Sequence, residues 1–283
     1  MAERVAVITD STAYLPSETL DRYDITVVPL QVIVAGTVCD EGTDVTAADV
    51  ARALQRTAPV STSRPSPQRF ADAYAAAREA GASAVVSIHL SADMSGTAEA
   101  ARLAASETEF PVRVVDARSI GMGLGFPVLA AAEAAAHGSS VDEVVGAAQR
   151  RAADTRSLFY VATLEYLRRG GRIGAAATLL GSALMMKPLL HLVDGRIAPL
   201  EKVRTASRAI TRLEELAAQQ AGEHKVDIAV QHLDNHARAE LLAGRLRERI
   251  PELGDVYVSE VGAVIGTHVG PGMLAVVVSP RRA

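Results

Sequence analysis

A single cysteine, Cys39, rules out an intrachain disulfide and any metal centre built on several thiolates. Tryptophan is absent and aromatics make up 4% of the chain, so aliphatic side chains must fill the core. Lysine is scarce: only Lys187, Lys202 and Lys225 among 29 basic residues, a bias that fits genome composition better than function. With a net charge of −4 and no interleaving of basic and aromatic residues, the chain lacks a nucleic-acid surface. The opening Met1-Ala2-Glu3-Arg4-Val5 is no basic leader before an apolar core. The uncharged stretch Ile173 to Met186 ends at Lys187, short of the ~20 residues a membrane span needs. These features predict a cytoplasmic protein with no integral membrane segment.

What is present is an aliphatic, alanine-rich chain of 283 residues, enough for one large α/β domain or two smaller ones. Val5 to Asp10 reads as a buried parallel strand, followed by a helix opened by Pro16-Ser17-Glu18. Extended structure is expected over Ile25 to Val34, helices over Ala47 to Gln55 and Pro67 to Ala80, and a strand over Ala84 to Leu90. A helix from Gly96, the strand Val112 to Val115 and an alanine-rich helix from about Gly123 continue the alternation, which predicts a mainly parallel sheet flanked by helices. The polar break His137-Gly138-Ser139-Ser140 suggests a division into domains 1–150 and 151–283. Beyond it, an Asp194-Gly195 turn signals a β-hairpin, and further helices and strands predict an α+β domain with a mixed sheet.

Polar loops at strand-to-helix transitions are where open α/β sheets place ligands. Asp10-Ser11-Thr12, Thr62-Ser63-Arg64-Pro65-Ser66-Pro67, Ser91 to Thr97 and Asp116 to Ser119 fall there, although each also suits a helix cap. Two helix N-termini and several hydroxyls in this set suit a carboxylate or phosphate. Arg168-Arg169-Gly170-Gly171-Arg172 resembles a phosphate cradle in composition but lacks the ending of a P-loop. It reads as a helix C-terminus with Gly170 as its left-handed cap. Gly266-Thr267-His268-Val269-Gly270-Pro271-Gly272 reads as a shaped loop displaying His268.

Together these motifs resemble the DegV family. The resemblance rests on Asp10-Ser11-Thr12, Val28-Pro29-Leu30, Thr62-Ser63-x-Pro65-Ser66-Pro67, Ser95-Gly96-Thr97, Gly170-Gly171-Arg172-Ile173, Lys187-Pro188 and Gly266-x-His268-x-Gly270-Pro271-Gly272, in order along nearly the whole chain. It implies a two-domain α/β protein that holds one long-chain fatty acid and needs neither cofactor nor metal. It further implies a carrier without a catalytic centre, which presents the acid to a separate ATP-dependent fatty-acid kinase for acyl-phosphate formation in phospholipid synthesis. By this resemblance Thr62, Ser63, Ser95, Gly96 and His268 surround the carboxyl group, and Arg172 serves kinase docking or the acyl-phosphate step. Arg64 departs from the glutamine common in the family. The second domain would form the acyl tunnel, with Leu164, Leu167, Ile173, Leu179, Leu180, Leu184, Met185 and Met186 as candidates.

Two other functions compete. A serine-dependent lipid hydrolase or acyltransferase would use Ser95 as nucleophile and His268 as base, with Asp10 or Asp116 as a conceivable third member, but no Gly-x-Ser-x-Gly elbow occurs. A phosphate-binding kinase would need a P-loop or an acidic metal cluster, and neither is recognisable.

Overall fold

The computed structural model describes residues 4–56, 58–180 and 187–281. Along the chain run β1 (Val5–Asp10), α1 (Ser17–Tyr23), β2 (Thr26–Val28), β3 (Gln31–Val34), β4 (Thr37–Asp40), α2 (Ala47–Gln55) and β5 (Val60–Ser63). Next come α3 (Pro67–Glu79), β6 (Ala84–His89), α4 (Thr97–Ser106), β7 (Val112–Asp116), α5 (Met122–Ala136) and α6 (Val141–Asp154). The remainder holds β8 (Arg156–Tyr160), α7 (Glu165–Arg169), β9 (Lys187–Val193), β10 (Arg196–Val203), α8 (Ala206–Ala221), β11 (Val226–His232), α9 (His236–Arg249), β12 (Leu253–Glu260), α10 (Ala263–Val269) and β13 (Leu274–Pro280).

Contacts divide the chain into two compact units, residues 1–31 with 63–153 and residues 32–62 with 154–283. The expected division at 150 therefore differs in one segment, because 32–62 belongs with the later residues. Burial is the physical reason. Val50 of α2 is fully buried and α2 packs on α10, while Glu41, only 6% exposed, accepts a 2.8 Å hydrogen bond from the Val264 backbone N–H in the first turn of α10. A carboxylate there satisfies an N–H that the helix itself leaves unpaired and complements its dipole.

The first unit has a four-stranded sheet in the order β2-β1-β6-β7, parallel throughout. The order reverses between β1 and β6, so the ligand-binding crevice of such a sheet opens at their carboxyl ends, Asp10 and His89. Ile8 and Val85 pack against Phe70 and Tyr74 of α3 and the small residues Ala100, Ala101 and Ala104 of α4. Val7 and Val86, one position along, face the other side by strand alternation. Helix α5 packs on β1 and β6, and Gly125 is needed in it because a Cβ would come 2.7 Å from the Ala13 carbonyl oxygen.

In the second unit a mixed six-stranded sheet runs β10-β9-β8-β13-β11-β12, in which only the β11 and β12 pairing is parallel. Leu213 and Ala217 of α8 and Leu242 and Leu246 of α9 cover Leu158, Ile228, Val230, Val276 and neighbours. The hairpin forms at the expected turn, with Asp194 at φ 50° and Gly195 at φ 79°, the two positive angles a tight type I′ turn requires. Among the described residues no helix is long and apolar enough to cross a membrane.

Replacing Glu41 by alanine should lower unfolding stability by about 1–2 kcal/mol, since the Val264 N–H loses a buried acceptor. Glu41→Gln, whose amide oxygen can still accept, should recover part of that loss. Urea denaturation of the three proteins checks this, and equal stability would remove the cap from the account of α10.

Candidate functional site

At the carboxyl ends of β1 and β6 a buried polar chain closes the first unit. Asp10 accepts from the Thr12 hydroxyl at 2.6 Å, the Thr12 N–H at 3.1 Å and the Leu90 N–H at 3.0 Å, and lies 3.1 Å from His89 Nδ1. His89 Nε2 is 2.6 Å from Ser87 Oγ, which is 3.1 Å from the Tyr74 hydroxyl. Burial pushes that phenol up to about 12, against the opposing effect of its hydrogen bond with Ser87. Serine, histidine and aspartate here have the connectivity of a nucleophilic triad. Ser87 and His89 are wholly buried and Asp10 almost so, and the chain shapes the crevice without facing it.

The hydroxyls expected beside a carboxyl group are distributed between the units. In the first, Ser95 Oγ sits 2.8 Å from the Thr97 hydroxyl, and the Ser95 N–H donates to the Ser91 carbonyl. Gly96 is the residue preceding α4, and a Cβ on it would come 2.4 Å from the Arg64 guanidinium, which is 3.6 Å from Glu99. Ser63 ends β5, its hydroxyl donating to the Arg64 carbonyl at 3.3 Å.

Thr62 and His268 meet in the second unit. Thr62 Oγ1 lies 2.9 Å from His268 Nε2, joining residues 206 positions apart. Both line a cavity of about 430 Å³ with Leu54, Pro59, Tyr166 and Arg172, a volume within the ~300–1,000 Å³ of small-molecule pockets. The stretch around His268 is not the loop its composition suggests. Residues 263–269 are helical and His268 occupies the last turn of α10, while Gly270 at φ 72° and Gly272 at φ 84° carry the chain out beyond it. Helix formation at Gly266 fits its surroundings, since even a Cβ would come 3.3 Å from Leu233.

Two glycines make room for rings. A Cβ on Gly170 would fall 2.0 Å from His268 Nδ1, and one on Gly270 would fall 2.1 Å from the Tyr166 ring. Gly170 is right-handed at φ −74°, so the left-handed residue that ends α7 is Gly171 at φ 69° rather than Gly170. Glycine stands at 170 because the imidazole lies on its Cα. Within α7, Arg168 and Arg169 clasp Glu165 at 2.7 and 3.0 Å, and Arg168 foremost holds its carboxyl down at about 2. Arg172 instead donates to the Gly170 carbonyl at 2.6 Å.

Burial, and secondarily the nearby Arg172 charge, pushes the His268 imidazole down to about 4. It is therefore neutral at pH 7. Nδ1 is buried without a hydrogen-bond partner among the described residues. A buried unpaired N–H is rarer than an under-used acceptor, so the network assigns the proton to Nε2, which donates to Thr62. The threonine hydrogen is thereby freed to donate elsewhere. Of the expected tunnel residues, Leu167 is buried, Leu180 is 43% exposed, and Leu184, Met185 and Met186 lie outside the described residues. Sequence reasoning missed Tyr166 and Glu41, for which no local signal exists.

A family profile described as an uncharacterised protein of the DegV family matches residues 4–281. A DegV domain-containing protein of Streptomyces coelicolor is 59% identical over 281 residues, covering 99% of this chain and 100% of its own. The fatty-acid-binding DegV family protein of Thermus thermophilus is similar in structure with a TM-score of 0.94 and 33% identity, covering 98% of this chain and 100% of its own. DegV of Bacillus subtilis, also a fatty acid binding protein, has a TM-score of 0.90 and 32% identity, covering 99% and 100%.

Two outcomes follow for His268. Its folded value lies below the ~6.5 of an unfolded histidine, so its contribution is complete above that pH and is lost as pH falls from about 6.5 toward 4. Between those limits wild type should lose roughly 2–3 kcal/mol more than His268→Gln, read from urea midpoints across the range. A parallel pH dependence in the two proteins would contradict the buried neutral ring. Gly170→Ala must push the imidazole aside and should cost about 1–3 kcal/mol by the same measurement.

Proposed function

This chain belongs to the DegV family, and from that membership and the geometry around His268 we propose that it binds a long-chain fatty acid, with Thr62 and His268 among its carboxyl contacts. The observation that carries the reading is the hydrogen-bonded Thr62 and His268 pair lining a cavity, in a chain whose structural relatives bind fatty acids. Nε2 of the neutral imidazole holds the threonine oxygen, and the threonine hydrogen donates to the carboxylate. Burying a carboxylate is costly unless such donors replace water. The family resemblance gives the same role to Ser63, Ser95 and Gly96. Tail burial supplies most of the affinity: at ~0.8 kcal/mol per methylene, about fifteen contribute roughly 12 kcal/mol before ordering costs.

In this reading the protein is a carrier that presents the acid to an ATP-dependent kinase for acyl-phosphate formation in phospholipid synthesis. Arg172, on the cavity wall beside Gly170, is the residue proposed to meet the kinase or the acyl phosphate. The hydrolase reading gains no support from the site. An imidazole held near 4 is a weak base at neutral pH, and Ser95 Oγ is engaged with Thr97.

Native mass spectrometry of freshly purified protein should show an added mass matching a long-chain fatty acid. Thr62→Val and His268→Ala should each weaken retention about tenfold to a hundredfold, a loss of ~1.4–2.8 kcal/mol. Ser63→Ala and Ser95→Ala are measured alongside. A ligand-free protein that ignores added fatty acids would refute the function, and unchanged retention in the Thr62 and His268 variants would refute the site.

A further inference from the structure

A second histidine pair lies at the end of β11, apart from the residues given a role so far. His232 is the last residue of that strand and only 5% exposed. The turn through Leu233, Asp234 at φ 50° and Asn235 then starts α9 at His236, whose side chain is 71% exposed. The turn is fastened at both sides, because the Gly272 N–H donates to the Leu233 carbonyl at 2.8 Å and Asn235 Nδ2 donates to the Gly272 carbonyl at 3.1 Å. It brings His236 Nδ1 to 3.3 Å from His232 Nε2, with ring planes inclined at 61°.

We propose that His232 Nε2 and His236 Nδ1 bind one divalent transition-metal ion of the zinc class. Two nitrogens each ~2.0–2.1 Å from a tetrahedral ion lie about 3.3–3.4 Å apart, and the pair is already at that spacing before any ion enters. As a hydrogen bond the same separation is long. Imidazole pairs suit zinc, copper, nickel and cobalt, and not the oxygen-seeking magnesium or calcium.

The surroundings suit a cation. Glu260, the register partner of His232 on β12, places Oε1 3.9 Å from His232 Nδ1, and the Asp234 N–H holds that carboxylate at 3.0 Å. Nδ1 is buried and without a hydrogen-bond partner among the described residues, so a small approach of Glu260 would complete a carboxylate, histidine and metal arrangement. Glu260 is the positioning residue, fixing the proton on Nδ1 and leaving the Nε2 lone pair for the ion. Glu240, with Oε1 4.0 Å from His236 Nε2, stands in the same relation to the second ring. Asp234, Glu240 and Glu260 all exert a negative field on His232. No group of three or more ligating side chains occurs among the described residues, so the carboxylates supply charge and orientation, and water completes the coordination.

Isothermal titration of the untagged full chain with Zn²⁺ tests the site. One equivalent should bind, the melting temperature should rise with Zn²⁺, and Co²⁺ in its place should give a visible absorption band. His236→Ala, a change at an exposed position, should abolish the band and the saturable heat, while His137→Ala changes neither. Glu260→Gln should weaken Zn²⁺ binding about 10–100-fold and leave the melting temperature of the metal-free protein in place. Absence of saturable binding in the wild type, or the same stoichiometry in His236→Ala, would overturn the proposal and leave the two rings a hydrogen-bonded pair only.

Discussion

The hydrogen bond between Thr62 and His268 is the constraint around which the second unit's cavity is built. Its two sides come from opposite ends of the sequence, so each must be fixed independently to within a few tenths of an ångström. Strand β5 fixes Thr62. His268 is fixed by α10, which Glu41 caps at one end and the left-handed Gly270 releases at the other. Gly170 leaves the space in which the ring lies, and Gly270 leaves the space for Tyr166. The glycines that look like loop punctuation are therefore packing residues, chosen for the volume they leave empty.

Electrostatics follow from the same packing. Covering the imidazole strips it of water and sets Arg172 near it, and both effects favour the neutral ring. A neutral ring with one nitrogen committed to Thr62 orients a hydroxyl; it does not supply a positive charge. Around His89, Asp10 and Ser87 occupy both ring nitrogens and the chain continues to Tyr74. His89 completes an internal network, and His268 at the cavity wall leaves Nδ1 without a hydrogen-bond partner among the described residues.

Local pattern made much of the fold legible. The helix over Ala47 to Gln55 and the turn at Asp194-Gly195 stand where periodicity and turn chemistry put them, because neither depends on a distant partner. The strand Thr37–Asp40 leaves no mark in the sequence, since its half-exposed residues do not alternate. Pattern also misread residues 266–269, where glycine content outweighed a helix held by tertiary packing and by the Glu41 cap. Thr62, which composition places in a polar loop, is in a strand. The candidate side chains themselves were legible through the family resemblance. Their geometry was not: that His268 contacts Thr62, that Gly170 exists for the ring and that the imidazole is neutral all depend on residues brought together from afar.

The excursion of residues 32–62 into the second unit also dictates an order of events during synthesis. Glu41 leaves the ribosome 223 residues before the N–H it will cap, and Thr62 leaves 206 residues before its histidine. Until then α2 lacks α10, the helix it packs against, although β3, β4 and β5 can pair among themselves. The four-stranded parallel sheet needs only residues up to Asp116, so it can close while the excursion still waits for α10. Contacts of such long sequence separation slow folding and leave apolar residues such as Val50 and Leu54 exposed in the interval. The same long-range closure makes the cavity a late product of folding, complete only once nearly the whole chain has been made.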